Sequence, residues 1–201
     1  MTSRTFRLSA HGLLVGILAA ITSPAIADDK KVDLQIGDRA PVFEARTDQD
    51  TTWKSADHYD KKWVVIYFYP GDFTPGCTAQ AKAFKEAMNK LTELGVEVVG
   101  VSGDSVLTHV QFRKAQALNF TLLSDEDGAI AKKFGVPFGP GAQVKAKDEG
   151  GNPIQFQRAG TAARWTFIVG TDGKIVYKNS KVVPADDAKK VTEFITKTAK
   201  Q

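Results

Sequence analysis

Apolar residues run without a break over residues 63–69 (WVVIYFY), and a run so rich in β-branched and aromatic side chains predicts a strand buried on both faces. Pro70-Gly71 ends it. From Cys77 the pattern changes to helical spacing, with Ala81, Phe84, Met88 and Leu91 on one face and Gly95 as the stop. Residues 96–101 (VEVVGV) predict a second buried strand. Ser105 predicts the N-cap of a second helix carrying Val106, Val110, Phe112 and Leu118. Residues 120–123 predict a third strand, and residues 165–169, the Asp172-Gly173 turn and residues 175–177 a β-hairpin. A last helix is expected over residues 185–199, with Val191, Phe194 and Ile195 inward.

Strand, helix, strand, helix, strand, hairpin, helix is the order of an α/β domain. It predicts a mostly parallel central sheet with an antiparallel edge, a mixed sheet with helices on both faces. That arrangement is compatible with a thioredoxin-like fold; a flavodoxin-like sheet would place further strand–helix repeats where the hairpin stands. Residues 138–160 interrupt the pattern with five glycines and two prolines. Within them Val144, Ala146, Ile154 and Phe156 alternate around Asp148-Glu149-Gly150-Gly151, which reads either as an added hairpin or as a loose surface insertion.

Residues 1–27 read as a secretory signal peptide, which leaves residues 28–201 as the mature domain. Arg4 and Arg7 give a basic start, residues 12–21 an apolar run too short to span a bilayer, and Ala25-Ile26-Ala27 a small-x-small cleavage pattern. Export is therefore expected, most simply to a bacterial periplasm, with no membrane span after cleavage.

Composition then excludes several classes. With 42% hydrophobic and 25% charged residues the chain is neither disordered nor a multi-span membrane protein. The formal charge is +4; the leader takes two arginines with it, leaving 25 basic against 23 acidic residues and no compositional case for nucleic-acid binding. Cys77 is the one cysteine, so an internal disulfide and a multi-cysteine zinc site are excluded. In an oxidising compartment a lone cysteine is a reactive thiol, half of an intermolecular pair, or an inert buried residue.

The surroundings of Cys77 bear on that choice. It stands where a buried strand gives way to a helix, and a helix N-terminus stabilises an anion, which favours the thiolate form. Thr74 is near enough on a tight turn for its hydroxyl to reach the sulfur or an oxygen attacking it. Pro70 and Pro75 restrict the loop on either side.

The segment Pro70-Gly71-Asp72-Phe73-Thr74-Pro75-Gly76-Cys77-Thr78 resembles the active-site segment of the peroxiredoxins, P-x-x-x-T-x-x-C, in the flavour of the bacterioferritin-comigratory or peroxiredoxin Q group. The resemblance extends through Gly37-Asp38-Arg39-Ala40-Pro41-Val42-Phe43, residues 96–105, Arg164-Trp165-Thr166-Phe167-Ile168-Val169 and Asp172-Gly173-Lys174-Ile175. It implies a thioredoxin-like fold and thiol-dependent reduction of hydrogen peroxide and organic hydroperoxides. It implies Cys77 as the peroxidatic cysteine, Thr74 and Pro70 shaping its pocket, and Arg164 as the active-site arginine, with neither cofactor nor metal. Arg164 suits that role, since its forked donors can face both sulfur and oxygen.

One departure matters. Many members of the group carry a resolving cysteine five residues after the peroxidatic one, where this chain has Lys82; others place it on the next helix, and residues 106–118 contain none. A one-cysteine enzyme is implied, monomeric or weakly dimeric. Its sulfenic acid would be released by an external thiol: a thioredoxin-like protein, a glutaredoxin or a low-molecular-weight thiol.

Other candidates are weaker. His58 and His109 show no metal or triad spacing and read as ordinary polar positions. Asp125, Glu126 and Asp127 resemble a calcium loop superficially, because Gly128 is followed by apolar residues. Thr74-x-x-Cys77 also looks like a thioredoxin C-x-x-C that has lost its first cysteine, so a binding or redox-sensing module is the alternative. A copper metallochaperone would need a second cysteine and a placed histidine.

Overall fold

A seven-stranded sheet lies at the centre, and its middle is the part most legible as buried sequence: β3 (Trp63–Phe68), β4 (Val96–Ser102) and β5 (Thr121–Ser124) pair in parallel. On one side β8 (Trp165–Val169) pairs antiparallel with β3, and β9 (Ile175–Asn179) with β8. On the other side β1 (Glu44–Thr47) pairs antiparallel with β5, and β2 (Thr52–Lys54) with β1. The structure is a computed structural model that describes residues 1–2, 32–148 and 150–199 in their placement. The leader expected over residues 1–27 lies outside the described residues, Met1 and Thr2 aside. The fold here is that of the unit from Lys31 to Gln201.

The sheet is mixed, as expected, but parallel pairing is confined to its middle, so the expectation of a mostly parallel sheet is corrected. β1 and β2 carry no buried run: β1 reads Glu-Ala-Arg-Thr and buries alternate residues. An edge hairpin of that kind has too short an apolar signature to show before its partner strand is known.

Helices cover both faces unequally. α1 (Pro75–Glu93), α2 (Val106–Gln116) and α4 (Asp187–Thr198) pack on the face of Val65, Tyr67, Val98, Leu122 and Ile168 through Phe84, Leu91, Phe112, Val191 and Ile195. The short α3 (Ala129–Lys133) and the chain around Phe43 and Tyr59 close the other face over Val64, Ile66, Phe68, Val99 and Phe167. Successive residues of β3 thus feed opposite cores, as a strand buried on both faces must.

Local signals account for most ends. Ser105 caps α2, its hydroxyl accepting from the Thr108 amide at 3.3 Å. Leu118, expected within that helix, lies beyond it: Ala117 turns left-handed at φ 48° and ends α2, although Leu118 is still buried. Asp125 holds the first turn of α3, its two oxygens accepting from the Ile130 and Ala131 amides at 2.8 and 2.9 Å. That role accounts for the acidic stretch that looked like a calcium loop.

Residues 138–160 contribute to a separate two-stranded ribbon of β6 (Phe138–Lys147) and β7 (Pro153–Ala162). Its register sets Val144 opposite Phe156 and Ala146 opposite Ile154, and the tip turns at Asp148, whose carbonyl accepts from the Gly151 amide at 3.1 Å.

Candidate active site

The site forms where the carboxyl end of β3 meets the start of β8. Antiparallel pairing sets Phe68 against Trp165, so the loop after β3 and the residue before β8 are brought together. Pro70 ends β3, half-buried, and the loop runs through Gly71, Asp72 and Phe73 to Thr74, the N-cap of α1. Pro75 opens the helix, where its missing N–H costs nothing. Cys77 is in the first turn, buried to 1% exposure, with its sulfur at the positive end of the helix.

Arg164 completes the site. Its Nη2 donates to Cys77 Sγ at 3.1 Å and its Nη1 donates to Gln80 Oε1. The guanidinium is held from behind: Gln80 Nε2 donates to Asp187 Oδ2 at 2.7 Å, and Thr166 Oγ1 donates to the same oxygen at 2.7 Å. Burial pushes the Asp187 carboxyl up, against these hydrogen bonds and the charge of Arg164. Tyr67, behind Cys77 in the same core, has its hydroxyl held far above its usual range, chiefly by burial and then by the nearby Asp72 and Cys77.

Of the two partners expected for the Thr74 hydroxyl, sulfur is not the one it takes: it donates to the Gly71 carbonyl at 3.1 Å, which leaves its oxygen as an acceptor. Phe73 adopts a left-handed backbone, φ 61°, a strain of about 1–3 kcal/mol for a bulky residue.

A layer of buried charged groups lies beneath the loop. Asp72, fully buried, accepts from Tyr69 Oη at 2.8 Å and pairs with His109 Nδ1 at 2.7 Å. Asp104, also buried, pairs with Arg158 at 2.8 Å and accepts from Ser102 Oγ at 2.8 Å. His109 is therefore not the ordinary polar position its sequence implied. Its carboxylate partner lies 37 residues away in the chain, so no spacing could have announced it. His58 is a milder case, partly buried, stacked on Trp53 and paired with Glu97 at 2.6 Å.

Burial works against a charge on His109, but Asp72, Asp104 and Asp48 outweigh it and its pKa is raised above 6.5. The folded state thus binds the proton more tightly than the unfolded one. The stabilisation is complete below pH 6.5 and is lost as pH climbs through the raised value. Urea midpoints should therefore fall as pH rises above 6.5, and His109→Gln should flatten that limb; equal slopes in the two proteins would remove His109 as the cause.

Known proteins give this geometry its context. A family model described as "AhpC/TSA family" matches residues 36–178. A chloroplastic peroxiredoxin Q of Populus jackii is 47% identical over 157 residues, 74% of this chain and 73% of that one. A chloroplastic peroxiredoxin Q of Oryza sativa subsp. japonica is 46% identical over 120 residues, 57% of this chain, and the match spans 55% of the rice protein. Among solved structures, Xanthomonas campestris peroxiredoxin Q superposes with a TM-score of 0.64 at 30% identity, covering 78% of this chain and 91% of that one.

Proposed function

The chain belongs to the AhpC/TSA family, among the peroxiredoxin Q proteins, and on that footing we propose that it is a thiol-dependent peroxidase working through a sulfenic acid at Cys77. The observation that carries this reading is the Arg164 guanidinium 3.1 Å from the sulfur of the chain's one cysteine. A cation and the positive end of a helix both face the sulfur, whose anionic form is the one that attacks. The thiolate attacks one peroxide oxygen; the S–O bond forms as the O–O bond breaks, and the departing oxygen takes a proton to leave as water or alcohol. Arg164 faces the charge that moves from sulfur to the leaving oxygen, and Thr74 Oγ1 accepts from the peroxide O–H, which aligns it. Pro70 shapes this pocket by fixing the backbone that leads into Gly71.

Sulfenic acid then meets an external thiol, forming a mixed disulfide and water, and a second thiol releases Cys77. A thioredoxin-like protein, a glutaredoxin and small thiols all supply that chemistry, and the enzyme works as a monomer or weak homodimer. Intact mass after a peroxide titration tests the scheme. We expect one added oxygen or a Cys77–Cys77 dimer at low peroxide, two added oxygens in excess, and a thiol adduct when a small thiol is present. An unmodified thiol after prolonged exposure would overturn the reading in favour of a degenerate binding module.

We further propose export to a bacterial periplasm, on the basic start, short apolar run and Ala25-Ile26-Ala27 of the leader. The mature protein then begins at Asp28. Mass spectrometry of envelope material should find that terminus, and intact residues 1–27 there would refute cleavage.

A further inference from the structure

The backbone of Asp72 is held as if by a neighbouring strand, but by an ion pair. Its N–H donates to Asp104 Oδ2 at 2.8 Å and its carbonyl accepts from Arg158 Nη2 at 2.7 Å. Those two side chains are themselves joined, Arg158 Nε donating to Asp104 Oδ1 at 2.8 Å. The result is a closed ring around one residue of the loop that delivers Thr74 and Cys77. We propose that the Arg158–Asp104 pair is a positioning clamp for peroxide reduction: it holds Asp72 so that Phe73 keeps its left-handed backbone and Thr74 and Cys77 stay aligned on the peroxide.

Arg158 belongs to β7, 86 residues from Asp72 in the chain, and it is 5% exposed. The approach of the ribbon to the loop is built in. Gly71, at φ +152°, has Arg158 packed where a side chain would be, since a Cβ there would come 2.0 Å from Arg158 Nε. Gly103 likewise admits the ribbon, because its Cβ would come 2.3 Å from the Gly160 carbonyl oxygen. The Ala159 amide donates to the Gly103 carbonyl at 3.2 Å, and the Phe156 ring lies 5.9 Å from that of Phe73. The ribbon therefore reaches the catalytic loop through a buried charge and an aromatic contact.

The clamp has work to do because Phe73 is strained. Relaxing it to negative φ means rotating the adjoining peptides, and Asp72 cannot follow without breaking its two hydrogen bonds to charged groups, which are the strong kind. Such a rotation would also disturb the Gly71 carbonyl that accepts from Thr74. Arg158 and Asp104 act through the loop and touch neither sulfur nor peroxide in this scheme. The proposal rests on the peroxidase reading above.

Two variants test it against the wild-type protein. Arg158→Lys keeps a cation beside Asp104 but cannot make both planar contacts. The double variant Arg158→Met, Asp104→Leu removes both charges together and leaves neither buried alone. Each is measured for the second-order rate with hydrogen peroxide, the rate of Cys77 alkylation by iodoacetamide, and cooperative unfolding in urea. A misplaced loop should slow peroxide reduction about 10- to 100-fold in the double variant, with Arg158→Lys between it and wild type. Alkylation should remain at the wild-type rate in both, because Arg164 still faces the sulfur. A purely structural pair would lower the urea midpoint and leave the peroxide rate of the folded protein unchanged, which would overturn the clamp. Parallel losses in peroxide reduction and alkylation would also overturn it, placing the pair on the state or access of sulfur. If the double variant unfolds without cooperativity, Arg158→Lys decides on the same two rates. A wild-type protein that consumed no peroxide would refute the peroxidase reading itself, before any variant is compared.

Discussion

Cys77→Ser should bring peroxide consumption down to the uncatalysed background while the protein remains folded. Serine replaces sulfur by oxygen at a site of 1% exposure and changes the volume little, so the surrounding core with Ala81 and Phe84 has no cavity to absorb. Chemically the loss is complete. An alcohol beside Arg164 is not ionised near neutral pH, whereas a thiol yields its anion readily and is intrinsically nucleophilic. No second cysteine exists to supply a background, since Cys77 is the one thiol in the chain. Peroxide loss followed with an excess of small thiol, beside a urea unfolding curve, checks both halves. Turnover near the wild-type rate in a folded Cys77→Ser protein would remove Cys77 from the reaction.

Arg164→Met should slow peroxide reduction about 10²- to 10³-fold, the usual effect of deleting one donor aimed at developing charge. Its side chain meets sulfur through Nη2 and Gln80 through Nη1, so the guanidinium is oriented by one contact while it serves the other. Arg164→Lys retains the charge without the fork and should fall between methionine and wild type. Cys77 should still be alkylated in both variants, since the thiol itself is intact. Stopped-flow peroxide rates beside alkylation rates separate these effects, and native peroxide rates in both variants would reduce Arg164 to a structural role. The chain behind it predicts a graded series: Gln80 and Asp187 reach sulfur only through Arg164, so changing them should cost less than changing Arg164 itself.

Gln80, Asp187 and His109 also show what kind of signal sequence reading passes over. Gln80 stands beside Ala81 and three residues after Cys77, on the inward stripe that continues to Phe84 and Leu91. Asp187 begins the stripe of Val191 and Ile195, and His109 precedes buried Phe112 by three residues. A polar side chain on an apolar helix face has to find a partner once buried, but neither the burial nor the partner is written locally: His109 reads as an ordinary polar position, and these hydrogen bonds join groups far apart in sequence.

Arg158 gave less warning still. It sits in an alternating ribbon of glycine, proline and polar residues where an exposed arginine is the ordinary expectation. Its burial follows from the approach of β7 to the loop after β4 and from two glycines, Gly71 and Gly103, that leave space for it.

The central strands, the three long helices, the thioredoxin-like order and the Pro70–Cys77 segment were legible along the chain, and Arg164 through the resemblance to the peroxiredoxins. Those features rest on local periodicity, capping and turn chemistry, or on a contiguous motif, and each is written in neighbouring residues. The edge position of β1 and β2 and the Gln80–Asp187 support behind Arg164 arise only on folding. So do the ion pairs under Asp72, which join β4, α2 and β7 to one loop. Such contacts are set by which strand ends are adjacent in the sheet and by which buried charges meet there, and the chain must close on itself before either exists.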